Sequence, residues 1–151
     1  MSNSGIRSRA PVPLDRCGMA RASDILGDRW TLLILREAIY GVVRFADIQA
    51  DTGVPRSVLS NRLAKLVDAG LLTRFEYTED GARPRQGYRL TKRGAALATT
   101  FLAMKDWWDM GQETPPTVRF VPKGQAKPVR VALLDENGEE VDPADLKLQL
   151  D

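Results

Sequence analysis

The sequence predicts a mainly α-helical fold with a small β-wing, an α+β architecture, followed by a short β-rich C-terminal extension. Apolar residues recur at helical spacing in three successive segments in the first half of the chain, which is typical of helices that bury one side. Two short segments rich in β-branched and aromatic residues then flank a turn rich in Gly, Pro and Arg, which indicates a hairpin. The 151 residues are enough for a domain with its own core.

The first predicted helix covers residues 19–40. Gly41 ends the helical pattern, and Gly27 marks a candidate break within it. The apolar side of this helix consists of Ile25, Leu26, Trp30, Leu33, Ile34 and Ala38.

Two further helices follow closely. Residues 44–53 form a short one that Gly53 stops, and residues 55–69 form a longer one. Pro55 suits the first turn of the longer helix, where its missing N–H is not needed. The apolar stripe of that helix consists of Leu59, Leu63, Leu66 and Val67.

The predicted hairpin pairs "LLTRFEY" at 71–77 with "GYRLT" at 87–91 across the turn "TEDGARPRQ". Thr91 is placed to cap a further helix over residues 92–111.

The C-terminal part begins at a break, "TPPT". Three short segments after it have strand character, "VRFVP", "PVRVALLD" and "EEVD", with a turn at "ENG". We therefore expect a flexible N-terminal tail at 1–14, a domain at 15–112, and an acidic β-rich extension at 113–151.

Charge is distributed unevenly along the chain. Residues 55–93 carry nine Arg or Lys against four Asp or Glu, whereas residues 131–151 carry one Lys against seven acidic residues. A basic middle segment indicates a polyanionic partner. The alternative is a basic face that contacts only water.

Composition excludes several classes of function. The chain has no histidine and one cysteine, so we expect no metal site, no cofactor and no His-based catalysis, and therefore no enzyme. No apolar run reaches membrane-spanning length, and the first 16 residues lack the apolar middle of a signal peptide. These features predict a cytoplasmic protein without a membrane partner.

A short helix, a turn with glycine and a second helix with an exposed polar side make a helix-turn-helix, and a hairpin directly after it is a wing. Arg can bind guanine with two hydrogen bonds, and Asn can do the same with adenine. We therefore predict that one polar side of the helix at 55–69 contacts bases in the major groove; the alternative is a solvated helix face. The predicted base-contacting residues are Arg56, Ser57, Ser60 and Asn61.

Other basic and polar side chains in and around the wing are candidates for contact with the DNA backbone or the minor groove. Here too the alternative is a loop that only contacts water. These candidates are Arg62, Lys65, Arg83, Arg85, Gln86, Arg89 and Lys92.

The last long helix has an apolar stripe too broad for a lone helix on a small domain, which favours burial against a second copy of the chain. Its tryptophans could instead pack in the core or line an effector pocket between subunits. The predicted dimer residues are Met19 and Ile25 from the first helix, and Phe101, Leu102, Met104, Trp107 and Trp108 from the last.

Several pieces of the chain, in this order and at these spacings, resemble the HxlR-type winged helix-turn-helix transcriptional regulators. The pieces are Cys17, "LGDRW" at 26–30, "RFADI" at 44–48, "GVPRSVLSNRL" at 53–63, "L-DAGLL-R" at 66–74 and "Y-LT-RG" at 88–94. The resemblance implies a homodimer that binds double-stranded operator DNA through two copies of the motif. It also implies that the first and last long helices build the dimer contact.

Cys17 has two interpretations. It is either a small buried apolar residue at a helix start or a sensor whose thiol is activated by the helix and by nearby arginines. Some relatives sense oxidants or electrophiles through a cysteine at this place. We therefore expect a dimeric sequence-specific regulator that responds to an oxidant, an electrophile or another small-molecule effector. The alternative is a winged-helix module that binds proteins rather than DNA.

Overall fold

The computed structural model describes residues 9–79 and 81–149. The chain divides into two compact units, Met1–Ala95 and Ala96–Asp151. The expected flexible tail at 1–14 lies partly outside the described residues, and its last residue begins a short 3-10 turn, Leu14–Arg16. Within the described ranges, no helix is both long and apolar enough to cross a lipid bilayer.

The predicted helix at 19–40 is two helices in the structure. The break lies at Gly27, where an added Cβ would stand 2.4 Å from the carbonyl oxygen of Ser23. Asp28 then starts the second helix, because its side chain accepts a hydrogen bond from the backbone N–H of Thr31. The two helices are α1 (Gly18–Leu26) and α2 (Arg29–Ile39).

The helix-turn-helix follows as predicted. It consists of α3 (Phe45–Thr52) and α4 (Arg56–Asp68), joined by a turn in which Gly53 has a φ of 69°. That left-handed conformation suits glycine. The core of this unit lies between α2, α3 and α4, and its fully buried side chains include Ile34, Leu35, Ile48, Val54, Leu59, Leu63 and Leu66.

The wing is an antiparallel pair, β1 (Leu72–Tyr77) and β2 (Arg85–Leu90), in which Leu72 pairs with Leu90 and Tyr77 with Arg85. It confirms the predicted hairpin, although β2 starts two residues earlier than expected. Gly87 is buried in β2, and a Cβ there would stand 2.7 Å from Cζ of Phe75. The ring of Phe75 therefore occupies the space above Gly87.

Thr91 caps the next helix as predicted, because its Oγ1 accepts a hydrogen bond of 3.0 Å from the backbone N–H of Gly94. The helix expected over 92–111 is interrupted at Leu97, and gives α5 (Lys92–Ala96) and α6 (Ala98–Asp109).

The C-terminal unit contains α6 and an extension with less strand than expected. Its strands are β3 (Leu133–Leu134) and β4 (Glu140–Val141), an antiparallel pair around the predicted turn, where Gly138 has a φ of 82°. The expected strand at 118–122 is irregular. Its one backbone link to the second expected strand is the hydrogen bond of 2.8 Å from the N–H of Val129 to the carbonyl of Phe120, too little pairing for a ladder.

Candidate nucleic-acid interface

The second helix of the helix-turn-helix, α4, has one buried side and one exposed side. Its three buried leucines face the core. The predicted base-contacting residues are exposed, and the first turn of the helix contains no acidic residue. These exposed residues are Arg56, Ser57, Ser60 and Asn61.

Arg56 is held at the start of α4 by an aromatic ring. Its guanidinium carbon lies 5.1 Å from the centroid of Phe45, the first residue of α3. A cation over an aromatic face is attracted by the ring quadrupole. This contact joins the two helices of the motif and leaves the guanidinium at the exposed N-terminal end of α4.

Arg62 has a different environment from the other predicted DNA contacts. Its Nε lies 3.1 Å from both carboxylate oxygens of Asp28, and its Nη1 donates a 3.0 Å hydrogen bond to Oδ1 of Asn61. The Arg62 side chain is only 26% exposed. It therefore links α4 to the start of α2, and this structural role explains the position of Arg62 without a contact to DNA.

The carboxylate of Asp28 receives several hydrogen bonds. Oγ1 of Thr31 donates to it at 2.6 Å, in addition to the backbone N–H of Thr31 and the guanidinium of Arg62. Burial alone would raise the pKa of Asp28, but these hydrogen bonds and the charge of Arg62 outweigh it and lower the pKa below its ordinary value. Asp28 is therefore an ionised cap near neutral pH.

Two aromatic rings of the wing also contact arginines, one from the wing itself and one from the start of α3. Arg89 lies 5.2 Å from the centroid of Phe75, and Arg44 lies 5.3 Å from that of Tyr77. In an antiparallel ladder, paired residues share a face, and the register places Phe75, Tyr77 and Arg89 on one face of the hairpin.

One carboxylate, in the loop that joins β1 to β2, pairs with two arginines. Oε1 of Glu79 forms an ion pair with Nη1 of Arg44 at 2.6 Å. Oε2 of Glu79 lies 3.9 Å from Nη1 of Arg85. The backbone continues this link, because the N–H of Tyr88 donates to the carbonyl of Val43 at 2.8 Å. The wing is therefore attached to the residues that precede α3.

The other predicted contacts with the DNA backbone are solvent-exposed. In the part of the chain that the structure describes, their side chains make no hydrogen bond or ion pair. They are Lys65, Arg83, Gln86 and Lys92.

Sequence reasoning missed the residues that hold the arginines. Phe45 and Phe75 hold Arg56 and Arg89, and Glu79 lies beside Arg85, three arginines that the sequence predicts as DNA contacts. Tyr77 and Glu79 hold Arg44 in addition. The available signal was the alternation of Phe75 and Tyr77 along β1, opposite a strand whose two arginines, Arg85 and Arg89, lie on the same face.

In the C-terminal unit, α6 presents an exposed apolar face. Met104, Trp107 and Trp108 are 47%, 69% and 61% exposed, and Phe101 beside them is half-buried. Leu102, also a predicted dimer residue, is half-buried and lines a cavity with Lys105, Asp106 and Asp109. At 100° per residue, it stands about 140° around the helix from Trp107.

In the N-terminal unit, Met19 is 79% exposed and Ile25 is half-buried. Cys17 is also half-buried and occupies the N-cap position of α1. Its carbonyl accepts the backbone N–H of Arg21 at 3.0 Å. The cysteine therefore stands at the helix start that the sequence predicts.

Comparison with known proteins agrees with this geometry. The family model of the HxlR-like helix-turn-helix matches residues 25–115. An uncharacterized HTH-type transcriptional regulator of Mycobacterium tuberculosis, Rv3095, is 37% identical over 125 residues, which cover 83% of this chain and 72% of that protein. The HTH-type transcriptional regulator YodB of Bacillus subtilis is 31% identical over 101 residues, covering 66% of this chain and 88% of YodB.

Solved structures share the fold. The crystal structure of PA1607, assigned as a transcription factor, matches with a TM-score of 0.77 at 30% identity and covers 89% of this chain and 95% of that one. Reduced YodB matches with a TM-score of 0.53 at 28% identity and covers 64% of this chain and 95% of that one. Quinone-bound YodB matches with a TM-score of 0.50 at 28% identity and covers 61% of this chain and 96% of that one. The chain belongs to the HxlR-like family of helix-turn-helix transcriptional regulators.

Proposed function

We propose that this regulator binds operator DNA as a homodimer and reads its sequence through α4. The observation that carries the proposal is the exposed polar side of α4 beside the buried leucines of the same helix. An α-helix fits the major groove with its N-terminal residues at the base edges. Arg56 stands at that end, and Ser57, Ser60 and Asn61 follow on the exposed side.

The wing supplies the second contact in this proposal. Arg83, Arg85 and Arg89 reach phosphates or the minor groove beside the site of α4, where Arg side chains bind favourably. Lys65, Gln86 and Lys92 add backbone contacts. Arg62 acts through its neighbours, because its pair with Asp28 and its hydrogen bond to Asn61 set the orientation of that amide.

A dimer is part of the proposal because one winged helix reads few base pairs. Two copies with two-fold symmetry place their recognition helices about 34 Å apart, one turn of DNA. Exposed apolar side chains on α6, chiefly Trp107 and Trp108, and Met19 on α1 are the surfaces available for this contact. Large exposed apolar side chains of this kind are typical of interfaces.

We also propose that Cys17 responds to an oxidant or electrophile. Its place at the N-cap of α1 supports this, because the half-buried thiol there is in no disulfide and lies beside the helix that carries Met19. The binding of a quinone by the relative YodB gives a second reason. A bulky or charged adduct on Cys17 would alter the α1 contact between subunits.

Titration of the purified protein with duplex DNA at several salt concentrations tests the proposal. We expect saturable binding to a two-fold symmetric sequence and steep weakening with salt. Arg56→Ala and Asn61→Ala should each lose about 1–3 kcal/mol of discrimination between operator and random DNA. Lys123→Ala, a cation in the extension, is the matched control and should keep full discrimination.

Two outcomes would contradict this assignment. If both α4 variants keep the operator preference of the unmodified protein, α4 does not read the bases. If the protein shows no sequence preference and no salt dependence, the winged helix serves as a protein-binding module instead.

A further inference from the structure

The C-terminal unit contains a cavity that the proposed DNA-binding function does not use. It has a volume of 560 Å³ and lies between one side of α6 and the irregular part of the extension. Its apolar lining includes Leu102 and Met110 from the helical segment, and Phe120, Val129 and Val131 from the extension. Cavities of about 300–1,000 Å³ with mostly apolar walls are typical sites for small organic molecules.

The acidic groups on the cavity wall already have partners. Nζ of Lys105 lies 2.7 Å from a carboxylate oxygen of Asp109 and 3.5 Å from one of Asp106. The other oxygen of Asp106 accepts a hydrogen bond of 3.4 Å from the backbone N–H of Val131. A cationic ligand would have to displace these contacts, so the wall does not favour one.

The three basic side chains that line the cavity differ in whether they have an acidic partner. Both terminal nitrogens of Arg130 donate hydrogen bonds to Glu140, and Lys105 is paired as described. Arg119 also lines the cavity, but its side chain has no acidic partner among residues 9–79 and 81–149. An Arg beside an apolar wall is suited to bind a carboxylate, sulfonate or phosphate group.

The geometry points to a binding site for a small organic anion with an aromatic or aliphatic body. The body lies against Leu102, Phe120 and Val129, and the anionic group receives hydrogen bonds from Arg119. This site is distinct from Cys17 and from α4, which belong to the other unit. It gives the extension a role in ligand recognition.

Two dyes with nearly the same rings test both parts of the site. One is 8-anilinonaphthalene-1-sulfonate, and the other is N-phenyl-1-naphthylamine, which lacks the sulfonate. Fluorescence titration of the full chain should show tighter binding of the sulfonate. Arg119→Gln should weaken the sulfonate about tenfold, the value expected for one charge-assisted hydrogen bond, and leave the neutral dye unchanged. Lys123→Gln, a control cation that does not line the cavity, should affect neither dye.

A second variant separates the cavity from exposed apolar surface, because such dyes also bind exposed apolar side chains. Val129→Trp fills the cavity and should weaken both dyes. Leu134→Ser, at an exposed leucine outside the cavity lining and outside the proposed dimer contact, should leave both affinities unchanged. The proposal is overturned if Arg119→Gln does not alter sulfonate binding, or if Val129→Trp preserves the binding of both dyes. Circular dichroism of each variant confirms that it is folded.

Discussion

Adding one methyl group at Gly94 tests how α5 is joined to the DNA-binding unit. A Cβ at this position would lie 2.0 Å from the carbonyl oxygen of Leu71 and 3.1 Å from Cδ2 of Leu90. Carbon contacts are most favourable at about 3.5–4.0 Å, and a backbone oxygen cannot rotate away as a side chain can. The start of α5 would therefore have to move away from the end of the helix-turn-helix.

The expected cost of Gly94→Ala follows from three contributions. Overpacking of a tight site costs about 1–3 kcal/mol. Movement of the backbone would also weaken the helix cap. In this cap, the N–H of Gly94 donates to Oγ1 of Thr91, and that hydroxyl donates to the carbonyl of Gly70 at 2.6 Å. Losing a cap costs about 1 kcal/mol. The higher helix propensity of alanine stabilises the variant by up to about 1 kcal/mol and offsets part of this loss. The lost cap and the gained helix propensity roughly cancel, so we expect a net destabilisation of about 1–3 kcal/mol.

Urea unfolding followed by circular dichroism measures this change. Gly18→Ala is the matched control, because Gly18 is also helical but no atom lies within 4 Å of its added Cβ. The control should be unchanged or slightly more stable. Equal unfolding midpoints for Gly94→Ala and Gly18→Ala would refute the steric argument.

Four further outcomes are expected. Asp28→Ala should lower the free energy of unfolding by about 1–2 kcal/mol, because it removes the helix cap and the ion pair with Arg62. The pKa of Asp28 is lowered in the folded protein, so this difference in unfolding free energy should be present at neutral pH and vanish as pH falls through the folded-state pKa. Replacing Arg83 and Arg85 with Ala should reduce the slope of the logarithm of DNA affinity against the logarithm of salt concentration by about two. Trp107→Ser should weaken dimer and operator binding together in sedimentation and titration; a monomeric unmodified protein at micromolar concentration would refute this. Oxidation should change the operator affinity of the unmodified protein but not that of Cys17→Ser.

The helices and the wing could be predicted because their signals are local. Gly41, Gly53 and Gly70 all have positive φ at the ends of predicted helices, a conformation that glycine favours strongly. The side of α4 that is buried also follows from spacing alone, since Leu59 and Leu63 lie one turn apart. These features depend on neighbours within a few residues along the chain.

The rest depends on contacts between distant residues. Arg62 resembles a DNA contact in sequence, but its partner Asp28 is 34 positions away. Leu102 belongs to an apolar run, yet the extension forms a cavity over its side of α6. The strand-like segment at 118–122 has suitable residue types but makes too few backbone pairs to form a ladder.

The arginines stacked on aromatic rings have a consequence for the thermodynamics of association. A free arginine side chain holds about 2 kcal/mol of rotamer entropy, most of which is lost when it is fixed in a complex. Arg44, Arg56 and Arg89 already lie within 5.3 Å of a ring centroid before any partner arrives. Much of their freedom is therefore given up during folding, and ordering them on an anionic surface carries a smaller entropic penalty than ordering an unstacked side chain such as Arg83.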